Sequence, residues 1–246
     1  MKKIFTVFLS LICLSTSSFA ANDTVKNWYF SSKSQNDRPS LPYLDASLGK
    51  AIGKDEKVLY LTFDAGYENG NVEKIVDILE EKDVTGAFFI LKHFVEENGD
   101  LCKKMRENKN LICNHSLNHK NFAHLSEKEI EEEIKGLETL YRDTTGDEMD
   151  PYFRPPEGAY SEKALEKVST LGYQTIFWSL AWADWDNNNQ KSPEFAMNLL
   201  NARVHNGAVI LLHPTSETNV KILGEFIDNM KEKGYRFGTL EELCKE

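Results

Sequence analysis

From residue 57 to the C-terminus, short apolar runs alternate with amphipathic helical patterns about seven times. Residues 58–63 are typical of the apolar runs, and residues 72–82, with apolar side chains three and four positions apart, are typical of the helical patterns. Such alternation indicates an α/β fold in which parallel strands are joined by crossover helices, either an open doubly wound sheet or a (β/α) barrel. The predicted strands are residues 58–63, 87–90, 111–113, 152–153, 174–180 and 208–212, and the predicted helices are residues 72–82, 101–108, 126–141, 161–171, 193–203 and 220–233.

The first 20 residues differ from the rest of the chain. Lys2 and Lys3 precede an apolar run over residues 4–14, and small residues close the segment at Ala20. This pattern is typical of a cleaved secretory signal peptide, and the apolar run is short for a membrane helix. We therefore expect a secreted protein, with a retained anchor as the alternative.

Residues 21–56 are polar and irregular, and prolines and serines interrupt any regular period. We expect an extended N-terminal segment that lies on the main domain through the aromatic residues Trp28, Tyr29 and Phe30. The main domain is predicted to span residues 57–246.

The composition is that of an ordinary globular chain, with 41% hydrophobic and 28% charged residues among 246. This length is enough for one large domain with a substantial core, and we expect a monomer. The formal net charge of −10 argues against nucleic acid as a partner, because basic side chains must neutralise the phosphates. An anionic polymer would be repelled at long range unless the binding cleft is locally different.

Three cysteines, Cys102, Cys113 and Cys244, remain after removal of the predicted signal peptide. An odd number cannot form a closed disulfide framework. Cys102 and Cys113 are candidates for a pair, but the favoured interpretation is that the cysteines are small, buried, apolar side chains.

Polar residues of catalytic type follow one predicted strand after another. Because the carboxyl ends of parallel strands meet at one end of a barrel, we expect these side chains to converge on a single site. They are Asp64, His115 and His119, Arg154, Asp184 and Trp185, and His213.

His115 and His119 are four residues apart, so one helical turn would bring both imidazoles onto one face. Two imidazoles with this spacing suit a divalent metal. Such pairs are often unrelated surface groups, and the position after a strand together with the carboxylate of Asp64 favours the metal interpretation. Cys113 is a further candidate ligand, although packing inward from the strand is the favoured interpretation.

Five segments resemble, in order, the motifs of the polysaccharide deacetylases, the NodB homology domain of carbohydrate esterase family 4. They are T-F-D-A-G at residues 62–66, H-S-L-N-H at 115–119, R-P-P-E-G at 154–158, D-W at 184–185 and L-L-H at 211–213. The resemblance covers roughly residues 57–245. It implies a distorted (β/α) barrel of about seven strands and metal-assisted hydrolysis of an N-acetyl group on a sugar.

The chain departs from the family pattern at three positions. Ala65 stands where the family has a metal-binding Asp, Ala181 stands where it has an Asp, and Glu157 stands where an aromatic residue is common. G-Y-E-N-G at residues 66–70 and W-S-L-A-W-A-D-W at residues 178–185 are similar to the muramic delta-lactam-forming deacetylases of spore formers. That resemblance implies action on N-acetylmuramic acid in spore cortex peptidoglycan, after an amidase has freed the lactyl carboxylate.

The resemblance also assigns expected roles to residues. Asp64 would be the general base and His213 the general acid, with Arg154 paired to Asp64 and Asp184 paired to His213. Because Ala65 supplies no ligand atom, His115, His119 and Asp64 would hold a divalent metal, expected to be Zn²⁺, only loosely. The substrate would contact Glu157, the backbone of Gly158 and the ring of Trp185.

Three other functions remain open: a glycan-binding pseudoenzyme, a deacetylase of another N-acetylated glycan, and a metal-free hydrolase. The missing Asp residues at Ala65 and Ala181 favour the pseudoenzyme, whereas an acid–base set is of no use to a binding protein. Trp182 is either a core or a site residue. We expect His93, His124 and His205 to be non-catalytic.

Overall fold

The computed structural model describes residues 23–28, 38–42 and 44–245. The predicted signal peptide lies outside the described residues, and so do Tyr29 and Phe30. In the described part of the chain, no helix is long and apolar enough to cross a membrane.

The described chain forms strands and helices in alternation, as predicted. The strands are β1 (Lys26–Asn27), β2 (Val58–Ala65), β3 (Gly86–Ile90), β4 (Leu111–Asn114), β5 (Tyr152–Phe153), β6 (Ala159–Tyr160), β7 (Gln174–Thr175), β8 (Leu180–Ala181), β9 (Ala208–Leu212) and β10 (Arg236–Phe237). The helices are α1 (Val72–Glu81), α2 (Lys92–Glu97), α3 (Gly99–Glu107), α4 (Glu127–Thr145), α5 (Glu162–Thr170), α6 (Pro193–Arg203), α7 (Glu217–Glu232) and α8 (Leu240–Lys245).

A curled parallel sheet forms the centre of the fold. Its strand order is β7-β5-β4-β3-β2-β9-β8, and β10 pairs with β2 off this path. Since β7 and β8, at the two ends of the path, do not pair with each other, the barrel is open between them. The expected distorted (β/α) barrel is confirmed.

Alternate residues of the strands face opposite sides of the curled sheet. Leu59, Leu61, Phe63 and Ala65 of β2 pack in the large core between sheet and helices. The residues between them face the concave side, where Val58 and Tyr60 belong to a smaller apolar cluster shared by strands on both sides of β2. Further along β2, Thr62 and Asp64 continue this concave face, so the polar end of the barrel begins where the apolar filling ends.

The segment before β2 packs along the open side of the barrel. Lys50 forms a parallel bridge with Ile176, donating its N–H to Thr175 O at 2.9 Å, and Ile52 forms a bridge with Ala208. Trp28 is buried, and its Nε1 donates to Trp178 O at 2.9 Å. Backbone hydrogen bonds of this segment therefore supplement the sheet where β7 and β8 leave it unpaired.

The prediction of one strand over residues 174–180 is wrong. The structure has β7 pairing with β5 at one end of the sheet and β8 pairing with β9 at the other. Residues 176–179 cross the gap between these two ends, because a single straight strand cannot pair with both. The other predicted strands are confirmed, whereas β1, β6, β10, α2 and α8 were not predicted.

The cysteines of the described chain are free thiols. Cys102 and Cys113 are fully buried in apolar clusters, and burial raises the pKa of both, that of Cys102 to about 12. The interpretation as buried apolar side chains is confirmed for Cys102 and Cys113, which are not paired with each other, whereas Cys244 is only partly buried. Cys113 packs inward from its strand, as expected. Because a buried, protonated thiol is a poor metal ligand, we do not count Cys113 among the candidate ligands.

Candidate active site

Asp64 lies near the end of β2 and is paired with Arg154, which follows β5. Arg154 Nη1 donates to Asp64 Oδ1 at 2.8 Å, and the guanidinium is fully buried. Its other donors reach Thr62 Oγ1 at 2.9 Å, Ile176 O at 3.0 Å and Phe177 O at 3.2 Å. The fork of Arg154 is thus held on several sides, and it orients one oxygen of the carboxylate while leaving the other free.

The pKa of Asp64 is lowered from its usual value. Burial alone would raise it, but the positive charge and hydrogen bond of Arg154, together with the charge of His213, outweigh burial. The guanidinium of Arg154 also lies 4.2 Å from the ring centroid of Phe89, an apolar setting in which charges are weakly screened. Asp64 is therefore ionised at neutral pH and able to accept a proton.

The second charged pair joins His213, just after β9, to Asp184. Asp184 is fully buried and accepts from His213 Nδ1 at 2.7 Å and from the His213 backbone N–H at 2.8 Å. Burial lowers the pKa of His213, but the charge and hydrogen bond of Asp184 raise it more, so the net shift is upward. With Nδ1 committed to Asp184, Nε2 is the nitrogen of His213 that is available to a substrate.

The predicted helical turn over residues 115–119 is wrong, because these residues form a loop. Ser116 has φ 79° and His119 has φ 54°, both in the left-handed region. The loop nevertheless brings the two rings together, with centroids 5.2 Å apart. Asn114 at the end of β4 stabilises this turn, since its Oδ1 accepts from the Ser116 N–H at 2.8 Å. Backbone strain of this kind is typical of functional sites.

The imidazole of His115 has the orientation of a metal ligand. Its Nδ1 donates to Arg154 O at 2.8 Å, which leaves the lone pair of Nε2 free, 3.7 Å from Asp64 Oδ2. Burial lowers the pKa of His115 to about 4, so the ring is neutral. His119, the second ring, is exposed.

The described residues contain no group of three or more His, Cys, Asp or Glu side chains that could hold a metal. Ala65 is fully buried among apolar side chains on the opposite face of β2 from Asp64, and it offers no ligand atom. Two neighbouring imidazoles with a nearby carboxylate do fit a divalent ion whose other ligands are water. The donor set thus suits a weakly held metal.

A cleft of about 950 Å³ connects these groups. Asp64, His115, His119 and His213 line it together with the expected substrate contacts Glu157, Gly158 and Trp185. Trp185 is 63% exposed, which suits a ring on which a sugar can stack. The structure therefore brings the predicted lining residues into one cleft.

Glu157 and Gly158 both have positive φ, 60° and 65°. Glu157 is exposed, and its Oε2 accepts from Asn121 Nδ2 at 3.3 Å. A Cβ at Gly158 would lie 2.9 Å from a ring carbon of Trp178 and 3.0 Å from Trp28 O, so only glycine fits there.

Sequence analysis did not identify two residues that support Asp184. Asn219, buried in α7, donates to Asp184 Oδ2 at 2.6 Å and to His213 O at 3.0 Å. Gln190 donates to Asp184 O at 2.9 Å and accepts from Ser216 Oγ. Neither residue belongs to one of the short sequence motifs. Their positions, a few residues after the D-W and L-L-H motifs, are the only sequence feature that could have suggested a role.

The remaining aromatic and histidine residues lie as follows. Trp182 lines the cleft but is mostly buried, and its Nε1 has no partner among the described residues. His205 is buried and contacts Ser179 Oγ at 3.0 Å through Nε2. His93 is exposed and 3.2 Å from Glu97, and neither His93 nor His124 lines the cleft.

The chain is similar to known polysaccharide deacetylases in sequence and in structure. The sequence model of the family described as polysaccharide deacetylase matches residues 51–176. PdaA of Bacillus subtilis, named a peptidoglycan-N-acetylmuramic acid deacetylase, is 39% identical over 191 residues, which are 78% of this chain and 73% of PdaA. The solved structure of PdaA, titled a family 4 carbohydrate esterase, has a TM-score of 0.86 at 36% identity, covering 91% of this chain and 99% of PdaA's.

Two Bacillus anthracis structures are also similar. A family 4 carbohydrate esterase has a TM-score of 0.75 at 34% identity, covering 92% of this chain and 99% of its own. A protein titled a pseudoenzyme of the same family has a TM-score of 0.73 at 26% identity, covering 79% and 68%. The chain belongs to the polysaccharide deacetylase family, the carbohydrate esterases of family 4, and is a hydrolase of N-acetyl amide bonds.

Proposed function

We propose that this protein removes the N-acetyl group from N-acetylmuramic acid in peptidoglycan with the help of a divalent metal. The observation that carries the proposal is the pairing of Asp64 with Arg154 and of His213 with Asp184 at one cleft. An ionised carboxylate and a protonatable imidazole supply the base and the acid that amide hydrolysis needs. The name of PdaA supports muramic acid as the sugar.

Asp64 and His213 divide the proton transfers in this mechanism. Asp64 Oδ2, the oxygen that does not accept from Arg154, takes a proton from the attacking water. His213 Nε2 gives a proton to the leaving amine nitrogen, while Asp184 holds the opposite side of the ring. Gly158 lines the same cleft, and we propose that the backbone N–H groups near Glu157 and Gly158 donate to the tetrahedral oxyanion.

Deacetylases of this family are metal-dependent in general, and we propose His115 and His119 as ligands, with Asp64 nearby. If these residues held a divalent ion, it would polarise the acetyl carbonyl and lower the pKa of bound water. Two imidazoles favour Zn²⁺. Because Ala65 supplies no carboxylate ligand, metal affinity should be about one to two orders of magnitude lower than at a site with an Asp there. This is the scale known for changes around metal sites.

The biological setting is part of the proposal. The protein would be secreted through the signal peptide at residues 1–20 and would act outside the membrane, as a monomer, on the spore cortex. Its substrate would be a peptidoglycan strand from which an amidase has removed the peptide. After deacetylation, the muramic acid has a free amine and a free lactyl carboxylate, the two groups that must join to form muramic delta-lactam.

The rival proposal is a glycan-binding pseudoenzyme, which the pseudoenzyme relative and Ala65 favour. The paired carboxylate of Asp64 and imidazole of His213 argue against it, because a sugar-binding protein needs no acid–base pair. Deacetylation of another glycan, such as N-acetylglucosamine polymers, is the second rival.

The test uses residues 21–246 with peptidoglycan strands, some stripped of peptide by an amidase. Acetate release is measured after chelation and after Zn²⁺ is restored. Asp64→Asn and His119→Ala should abolish or greatly reduce release, and His93→Ala is the matched histidine control because His93 is exposed and outside the cleft.

Release from stripped strands that is lost on chelation and regained with Zn²⁺ supports the proposal. Release that resists chelation would contradict the metal and favour a metal-free hydrolase. No release from any muramic strand, with binding unchanged in Asp64→Asn, would favour the pseudoenzyme.

A further inference from the structure

The cleft has a second wall that the proposed mechanism does not use. It is one face of α6, where Phe195, Leu199 and Arg203 follow each other at intervals of four residues and all line the cleft. Phe195 is half exposed, and Trp185 lines the same cleft. The wall is therefore apolar along two turns and ends in a guanidinium group.

Within the part of the chain that the structure describes, Arg203 lacks the partners that a guanidinium usually has in a protein. Its backbone carbonyl accepts from His205 Nδ1, but its side chain makes no ion pair or hydrogen bond with the described residues. The residue is half-buried. The five N–H donors of its guanidinium face the cleft without a partner among the described residues, so an incoming group that accepts hydrogen bonds can bind them.

Two basic side chains, Arg203 and Lys191, line the cleft although the chain as a whole is acidic. Lys191 also lines the cleft, is exposed, and contacts Asn189 Oδ1 at 3.3 Å rather than a carboxylate. Of the two carboxylates that line the cleft, Asp64 is paired with Arg154, and Glu157 contacts Asn121. Asn121 is neutral, so Glu157 keeps its negative charge, and an anionic group in the cleft is attracted specifically by the Arg203 guanidinium of α6.

We propose that Arg203 binds the lactyl carboxylate of muramic acid and so selects peptide-free N-acetylmuramic acid. This inference rests on the proposed function. N-acetylglucosamine has a hydroxyl group at the carbon where muramic acid carries the lactyl ether. In a strand that retains its peptide, the same carboxyl is a neutral amide.

The chemistry of the sugar fits the layout of the cleft. The acetamido and lactyl groups are on adjacent ring carbons, so both enter one cleft when the acetamide reaches Asp64 and His213. A guanidinium binds a carboxylate through two parallel hydrogen bonds, which a hydroxyl or an amide cannot reproduce. Side chains on a helix lean toward its N-terminus, so Arg203 leans along the apolar wall toward Leu199.

The test compares wild type, Arg203→Met and Arg203→Lys on three substrates. These are peptide-free muramic strands, strands that retain peptide, and an N-acetylglucosamine tetramer. Methionine keeps an apolar stem of similar length, and Lys191→Met is the matched control for loss of one positive charge at the exposed rim. Thermal unfolding of each variant checks the fold.

We expect Arg203→Met to raise KM for peptide-free muramic strands by about 10- to 100-fold with little change in kcat, the scale of a charged hydrogen-bonded contact. Any activity on the tetramer should stay unchanged, and Lys191→Met should have a smaller, salt-sensitive effect. Arg203→Lys should recover part of the loss.

An unchanged KM in Arg203→Met, or an equal loss on muramic strands and on the tetramer, would overturn the role of Arg203 while leaving deacetylation intact. Wild type that binds peptide-bearing strands as tightly as peptide-free strands would also overturn it. Failure of the proposed function has a different signature, since wild type itself would then release no acetate from muramic strands.

Discussion

Replacement of Arg154 by methionine tests whether the buried pair with Asp64 is held as the structure indicates. Among the described residues, Arg154 is the only one whose guanidinium contacts Asp64, and the change also removes the donors to two buried carbonyl groups. Breaking one side of a buried ion pair costs about 3–5 kcal/mol. We expect the upper part of this range, because the two carbonyl groups also lose their partner.

The loss should depend on pH in a defined direction. In wild type the pKa of Asp64 is lowered, so its pairing stabilises the fold above the unfolded pKa of about 3.9, and this stability is lost as pH falls through the lower folded value. Without Arg154, burial is no longer outweighed, and the folded pKa of Asp64 rises. The destabilisation should then be largest at neutral pH and shrink as Asp64 becomes protonated.

The assay is urea unfolding of chelator-treated wild type and of Arg154→Met, each at about pH 7.5 and at about pH 5. Asp64→Asn in the Arg154→Met background removes the unpaired charge, and the double variant should be more stable than Arg154→Met alone at neutral pH. A loss below about 1 kcal/mol, or no recovery in the double variant, would refute the reasoning.

Three further changes test the other parts of the site. Asp184→Asn removes the charge that raises the pKa of His213, so the alkaline limb of the kcat/KM profile should move to lower pH; an unmoved limb would argue against His213 as the acid. Gly158→Ala places a Cβ 2.9 Å from a ring carbon at positive φ and should lower stability by about 1–3 kcal/mol in a melting experiment; unchanged stability would contradict the packing. Trp185→Ala, at an exposed ring, should raise KM with unchanged stability, and an unchanged KM would remove Trp185 from the binding surface.

The local pattern of the sequence was sufficient for most elements of the barrel. Strands such as β9 and helices such as α6 have the predicted bounds, because hydrophobic period and capping are properties of a few neighbouring residues. The order of catalytic residue types along the chain was also sufficient to identify the family. Convergence of these residues at one end of the sheet follows from parallel strand topology.

The tertiary structure decided the features that depend on residues far apart in the chain. The break between β7 and β8 depends on which strands lie at the two ends of the sheet, which residues 174–180 do not encode by themselves. The His115–His119 loop replaces a helical turn because Asn114 and Ser116 stabilise a different backbone.

Pattern analysis also cannot show that Asn219, 35 residues away, supports Asp184, or that the Arg203 side chain has no partner among the described residues. Periodicity describes which face of an element is buried, but it carries no information on which side chain meets another across the fold. The sequence by itself therefore determined the types of element and the chemistry available. The folded chain decided the geometry of that chemistry, because hydrogen bonds and burial are set by contacts between distant segments.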